Sequence, residues 1–318
     1  MSHRISWIAA ALMALLAVPA CGKKDKAPSA SAENGAAVEA AAQDPSAAFL
    51  AMADRHAKAF LATAPEAATE LGLADDIAGA GYLSRLGDYG FDAHQAARQM
   101  NEAFLQELKS HDRAKLSGVA ATTYDVLRNA YEIAARRNQF PFGGAARWGT
   151  ISPYPVTQIS GPHLSLPRLM LTQHPLDTRA DAEAYLSRLA EFGRVFDETV
   201  ELIGGDAALG VTPPVFAIDG ALASIAAFVA PAPRANPLVS VYEAKLDVAV
   251  GLSLEDRAAL VARAEQAVAD VVYPAYARLA AALEERRAQS ASVAAVGVAR
   301  LGDFGAGYYQ LALASYGG

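Results

Sequence analysis

From Asp44 onward, apolar side chains recur every three to four residues through one segment after another, with Gly- and Pro-containing breaks between segments. That period stacks side chains along one face of an α-helix, whereas a strand requires strict alternation. The expected fold is therefore mainly α: an irregular multi-helix bundle with a long Pro/Gly-rich crossover segment.

Local signals place the helices. Asp44-Pro45 forms a natural cap and first turn, after which Phe49, Ala53, His56, Ala57, Phe60 and Leu61 share a face. A short helix is expected from Pro65 to Gly72. Asp92 and Ser117 are expected to cap two more, with Ala97, Met100, Phe104 and Leu108 inward on the first and Ala120, Tyr124, Leu127, Tyr131 and Ala134 inward on the second. The clearest stripe follows Asp177-Thr178, from Tyr185 through Leu189, Phe192, Phe196, Val200 and Ile203, with Gly204-Gly205 as its expected end. A further helix starts at the Ser253 cap and runs to about Ala288. Pro274 lies inside it, removing one backbone hydrogen bond and crowding the preceding turn, so a kink or break is expected near Val272.

The stretch from Phe140 to Thr178 is rich in proline and glycine and has no sustained helical period. Long irregular segments in compact domains are often functional. Within it Tyr154, Gln158, Gly161 and His163 are expected to approach Tyr308 and Tyr309 and form one wall of an open groove. Both segments are glycine-rich and aromatic, and both are expected to interrupt helices. An aromatic ring with a polar tip suits a place where one side packs and the other meets ligand.

The N-terminus carries a different signal. Arg4 precedes an uncharged run from Trp7 to Ala20, too short to cross a bilayer core and ending in Val18-Pro19-Ala20-Cys21. Residues 1–20 therefore read as a signal peptide. Val18 and Ala20 suit a lipobox, Pro19 is less usual there, and Cys21 supplies the thiol for diacylglycerol transfer. Cys21 is the single cysteine of the chain, so no disulfide partner competes for it. Several acyl chains at about 0.8 kcal/mol per buried CH₂ make such an anchor effectively permanent. Gly22 follows the cysteine where an aspartate would retain a lipoprotein in the inner membrane, so the expected location is the outer membrane, facing the periplasm. Residues 21–44 read as a lipidated flexible tether of small and polar side chains, with Lys23, Lys24 and Lys26 near the headgroups. Residues 45–318 form the helical domain.

Net charge −7 and a pI near 5.4 argue against a nucleic-acid partner, which calls for a basic face. There is no G-x-S-x-G elbow and no G-x-x-x-x-G-K-[ST] phosphate loop. Asp75-Asp76 and Glu284-Glu285 are adjacent pairs, pointing about 100° apart on a helix, and read as solvated faces. His56 reads as a satisfied core residue, His94 and His111 as solvated residues near helix ends, and His163 and His174 as turn or hydrogen-bonding residues. No catalytic or metal-binding residue is named.

An ordered series runs along the chain: Ser152-Pro153-Tyr154-Pro155-Val156-Thr157-Gln158-Ile159-Ser160-Gly161, Asp181-Ala182-Glu183-Ala184-Tyr185-Leu186-Ser187-Arg188-Leu189, Gly210-Val211-Thr212-Pro213-Pro214, Asn236-Pro237-Leu238, Tyr273-Pro274-Ala275-Tyr276 and Gly307-Tyr308-Tyr309. It resembles the bacterial family called domain of unknown function 885, many of whose members are exported lipoproteins. The resemblance implies a helical, zincin-like protein whose later half carries an H-E-x-x-P-G-H-type motif for zinc and water activation. No such motif occurs here, and the sequence stops at Tyr316-Gly317-Gly318, soon after the Gly-Tyr-Tyr element. The expectation is the N-terminal, non-catalytic portion of a metallopeptidase-like lipoprotein, with zinc only in full-length members. Its expected partners are the membrane, a peptide ligand and a separately encoded C-terminal half. The alternative is a stand-alone helical binding or scaffold lipoprotein of the periplasm. Under the first reading, the alanine-rich stretch from Ala221 to Ala230 is expected to leave an apolar face uncovered.

Overall fold

The computed structural model describes residues 44–145, 152–295 and 297–317. The signal peptide, Cys21 and nearly all of the tether lie outside the described residues. Among those described, the chain is helical, and its only β pairings are isolated bridges between Thr157 and Ser160 and between Thr178 and Val250.

The helices, in chain order, are α1 Pro45–Thr63, α2 Pro65–Glu70, α3 Asp75–Ala78, α4 Phe91–Lys109, α5 Gly118–Arg137, α6 Pro162–Thr172, α7 Arg179–Ala208, α8 Val215–Val229, α9 Pro237–Leu246, α10 Leu254–Ala267, α11 Tyr273–Ala291 and α12 Gly305–Gly317. The spine is α7. Its N-cap Thr178 and Asp181 exchange side-chain and backbone hydrogen bonds in a capping box. Its apolar stripe, Tyr185, Leu189, Phe192 and Phe196, is buried with Tyr242 of α9 and Tyr276 of α11 in the main core. A smaller core joins Phe49 and Met52 of α1 to Leu108 of α4 and Tyr124 of α5. A third gathers Phe140, Phe142, Leu301, Tyr308 and Leu311.

Several expectations hold at the residue level. The Asp44 carboxylate accepts the Ser46 N–H at 2.9 Å and Pro45 opens α1. The helix beginning at Ser253 is interrupted by a π-turn at Val268–Val272, directly before Tyr273-Pro274. The extra residue in that turn absorbs the missing proline N–H, as π-bulges do.

Other expectations need correction. Gly90, not Asp92, caps α4, and Asp92 stands in its first turn. Gly204-Gly205 do not end α7. A Cβ at either would meet nothing within 4 Å, the helix runs on to Ala208, and the chain turns at Gly210 with φ 76°. The crossover contains a helix, α6, hidden from periodicity because Pro162 begins it and Pro167 lies inside it. Pro167 cannot donate to the carbonyl four residues earlier, that of His163. The Tyr276 hydroxyl donates to that oxygen instead, at 2.7 Å. Tyr308 and Tyr309 lie within α12 and interrupt no helix.

Candidate functional site

A narrow cleft, with room for about one water, lies where the crossover passes the end of α7, with Tyr154, Asp206, Thr212, Leu283 and Arg286 among its walls. Each wall is fixed from behind. Arg137 is 1% exposed and forms no ion pair among the described residues. Its guanidinium donates to the carbonyls of Phe140, at 3.3 Å, and Phe142. It also stands 5.7 and 5.5 Å from the ring centres of Phe142 and Tyr308. Arg98 donates to the carbonyls of Asn138 and Phe140 at 3.1 and 3.0 Å. The two arginines thus wind residues 138–142 into a fixed turn.

That turn requires glycine at 143 and 144. Both have positive φ, 69° and 72°, and a Cβ would fall 2.5 Å from Arg137 Nη2 at the first and 2.6 Å from the His94 ring at the second. The Gly143 N–H is then free to donate to Asp206 Oδ2 at 2.9 Å, and the Ala145 N–H to His94 Nδ1 at 3.0 Å. Asp206 is 3% exposed. Burial pushes its carboxyl up to about 7, against the pull of the Gly143 N–H and of Arg137 and Arg98. On the far wall, Arg300 donates to the carbonyls of Thr212, Val293 and Ala295 and to Ser290, whose hydroxyl donates to Pro213 at 2.6 Å. The segment 212–213 is thereby pinned to the end of α11. The cleft brings together the Asp206 carboxyl, titrating near neutrality, the ring of Tyr154 and Arg286, whose guanidinium pairs with Glu285 and donates to Gln289 at 3.0 Å. Among the described residues, no three His, Cys, Asp or Glu side chains are grouped closely enough to hold a metal ion.

The anticipated groove residues separate. Tyr154 packs with Tyr308 in the third core. Gln158 instead rests on α8, where a Cβ on Gly220 would fall 2.5 Å from its own. Gly161, with φ 129°, leads into α6, and His163 is buried with no hydrogen-bond partner on either ring nitrogen among the described residues. Burial lowers the His163 pKa to about 4. Tyr309 is half exposed, turned away from the cluster that holds Tyr308.

The histidines divide likewise. His56 is buried, stacked on Phe104, and bonded to Tyr131 at 3.1 Å and Glu107 at 2.9 Å. His174 donates from Nε2 to the Asp181 carbonyl at 3.0 Å and accepts from Arg188 at 3.1 Å, which fixes its tautomer. His94 is buried rather than solvated, because the Gly143-Gly144 turn closes over it. His111 is half-buried, edge-on to Phe49. Asp75, Asp76, Glu284 and Glu285 are exposed.

Asp206, Arg137 and Arg286 were not singled out from the sequence. Asp206 did leave a trace, standing three residues after Ile203 on the buried register of α7, where a charge has to be explained by its partners.

Comparison with known proteins agrees with the fold. Residues 65–318 match the model of the family described as bacterial protein of unknown function, DUF885. No curated protein matches the sequence. Among solved structures, a candidate lipoprotein from Colwellia psychrerythraea superposes with a TM-score of 0.76 at 22% identity, covering 85% of this chain and 46% of that one. The chain therefore spans less than half the length of that protein.

Proposed function

The chain belongs to the bacterial family of unknown function DUF885, and on that basis we propose that it is an exported, lipid-anchored lipoprotein of the cell envelope forming the non-catalytic helical portion of a metallopeptidase-like assembly. One observation carries the assembly. α12 contains no charged side chain; Tyr308 and Leu311 are buried on one face, while Tyr309, Leu313 and Tyr316, spaced i, i+4 and i+7, are 50%, 49% and 70% exposed on the other. A helix apolar all round is ordinarily covered all round. α8 adds to it: Ala221 and Ile225 face the core, while Phe216 is 68% exposed and Ala223, Ala226, Ala227 and Ala230 are exposed beyond Asp219, which pairs with Arg287. Apolar side chains exposed along a helix face in this way mark an interface. The Colwellia protein, with more than half its length beyond the matched part, supports a polypeptide occupant. Anchoring rests on Val18-Pro19-Ala20-Cys21 and accords with the description of that structure as a candidate lipoprotein.

The test places a photo-crosslinking amino acid at Tyr309 in living cells and identifies the adduct by mass spectrometry. The expected adduct is a polypeptide carrying an H-E-x-x-P-G-H-type motif. No adduct, or an adduct with a second copy of this chain, would reject the assembly.

A further inference from the structure

The segment between α9 and α10, together with the first residue of α10, exposes three aliphatic side chains within seven residues: Val248 at 83%, Val250 at 78% and Leu254 at 83%. The segment is fastened rather than collapsed. Ala249 and Leu252, which alternate with them, are 5% and 9% exposed in the main core. The Val250 N–H donates to the Asp177 carbonyl at 2.9 Å, and Gly251 turns the chain with φ 79°. The aliphatic tips are therefore held in water by their own backbone.

Around them stand two ion pairs and the exposed carboxylates of Asp177 and Glu255. Arg179 pairs with Asp256 at 2.6 Å and Arg257 with Asp247 at 3.6 Å, while Asp256 also closes the Ser253 capping box. Aliphatic tips ringed by polar, charged side chains match the profile of a bilayer surface, acyl boundary first and headgroups next. A strongly basic ring would indicate attraction to anionic lipid; this one has more acids than bases, so the expected surface is neutral lipid.

The loop's position agrees. It is bridged to Thr178, at the start of α7, whereas Asp206 and the cleft lie at that helix's other end. The 30 residues of α7 at 1.5 Å each separate the two by about 45 Å. From Cys21 to Asp44 the chain can span up to about 80 Å, so an anchor at Cys21 leaves this end free to reach the lipid.

We propose that Val248, Val250 and Leu254 form a lipid-docking loop that inserts into the bilayer surface and orients the domain with its cleft pointing away from the membrane. The orientation rests on the anchoring proposed above; the insertion itself does not.

The experiment uses the mature chain with Cys21→Ser, which cannot be acylated, and neutral phosphatidylcholine vesicles. The chain should float with the vesicles, and the combined Val248→Asp and Leu254→Asp variant should partition at least about tenfold more weakly, close to 1.4 kcal/mol. All three positions are exposed, so an unchanged circular dichroism spectrum is expected to confirm folding. Leu254→Ser is the milder variant should the pair misfold. An environment-sensitive dye on Val250→Cys should shift to the blue with vesicles, and the same dye on Tyr309→Cys should not. Equal partitioning of wild-type and variant chains, equal dye shifts, or a vesicle-independent dimer that the substitutions dissolve would overturn the loop, and none of these bears on acylation of Cys21.

Discussion

Asp206 is a carboxyl placed where the apolar register of α7 would otherwise put a hydrocarbon, and its surroundings pull in two directions. Burial favours the neutral acid, and the Gly143 N–H with Arg137 and Arg98 favours the carboxylate; burial wins, leaving the group near 7. An unfolded aspartate titrates near 3.9. The folded value is raised, so this residue's contribution to stability is fully present below about pH 4 and is lost as pH rises through about 7. Asp206→Asn keeps the shape and the acceptor for Gly143 without the charge. Its melting temperature should match the wild type at pH 4 and exceed it by several degrees at pH 8. A variant less stable than the wild type at pH 8 would mean that the arginine attraction dominates. Arg188 presents the opposite case. It is wholly buried, bonded to Thr69 at 2.7 Å and to the carbonyls of Arg85 and Tyr82, and burial lowers its pKa to about 10, so it stays charged at neutral pH. Its place between Tyr185 and Leu189 was visible in the sequence, but these three partners, more than a hundred residues away, were not.

At the scale of elements, what periodicity announces forms as announced: the stripe of α7, the cap of α1 and the break before Pro274 are all local consequences of their own residues. What it misses is α6, since a helix with proline at its first and sixth positions has a carbonyl that only tertiary structure can satisfy. The Tyr276 hydroxyl does so for His163, and that dependence is measurable. Tyr276→Phe should destabilise the protein by about 1–3 kcal/mol, because a buried carbonyl loses its donor. Pro167→Ala supplies a backbone N–H to the same carbonyl, so the tyrosine substitution should be milder in that background. A double-mutant cycle by urea denaturation should give a coupling of about 1 kcal/mol. Additive effects would show that the hydroxyl contributes nothing through that bond. The cleft was hidden for the same reason as α6: Tyr154, Asp206 and Arg286 come from three elements that only the packing of α7 against α11 and the crossover brings together, whereas the pairing of Tyr154 with Tyr308 could be anticipated from their aromatic character.

For the whole molecule, α7 sets an axis with the aliphatic loop at one end and the cleft at the other, and the uncovered faces of α8 and α12 give the domain surface to share. No described helix is long and apolar enough to cross a membrane, and the routes to a membrane proposed above are acylation of Cys21, surface docking and a partner. These differ sharply in strength. A few aliphatic tips give partitioning that dilution reverses, whereas several acyl chains, each with more than a dozen buried CH₂ groups at about 0.8 kcal/mol, hold against any wash that leaves the bilayer intact. Cys21→Ser should therefore abolish incorporation of labelled fatty acid. The protein should move from the membrane fraction to the soluble fraction after washing at alkaline pH, while export and folding are retained. In sucrose-gradient separation, the unsubstituted protein should travel with outer-membrane markers, since Gly22 occupies the position where aspartate would hold it in the inner membrane. Undiminished labelling of the Cys21→Ser chain, or its full retention after the wash, would refute anchoring at this cysteine and leave the loop or the partner to account for it.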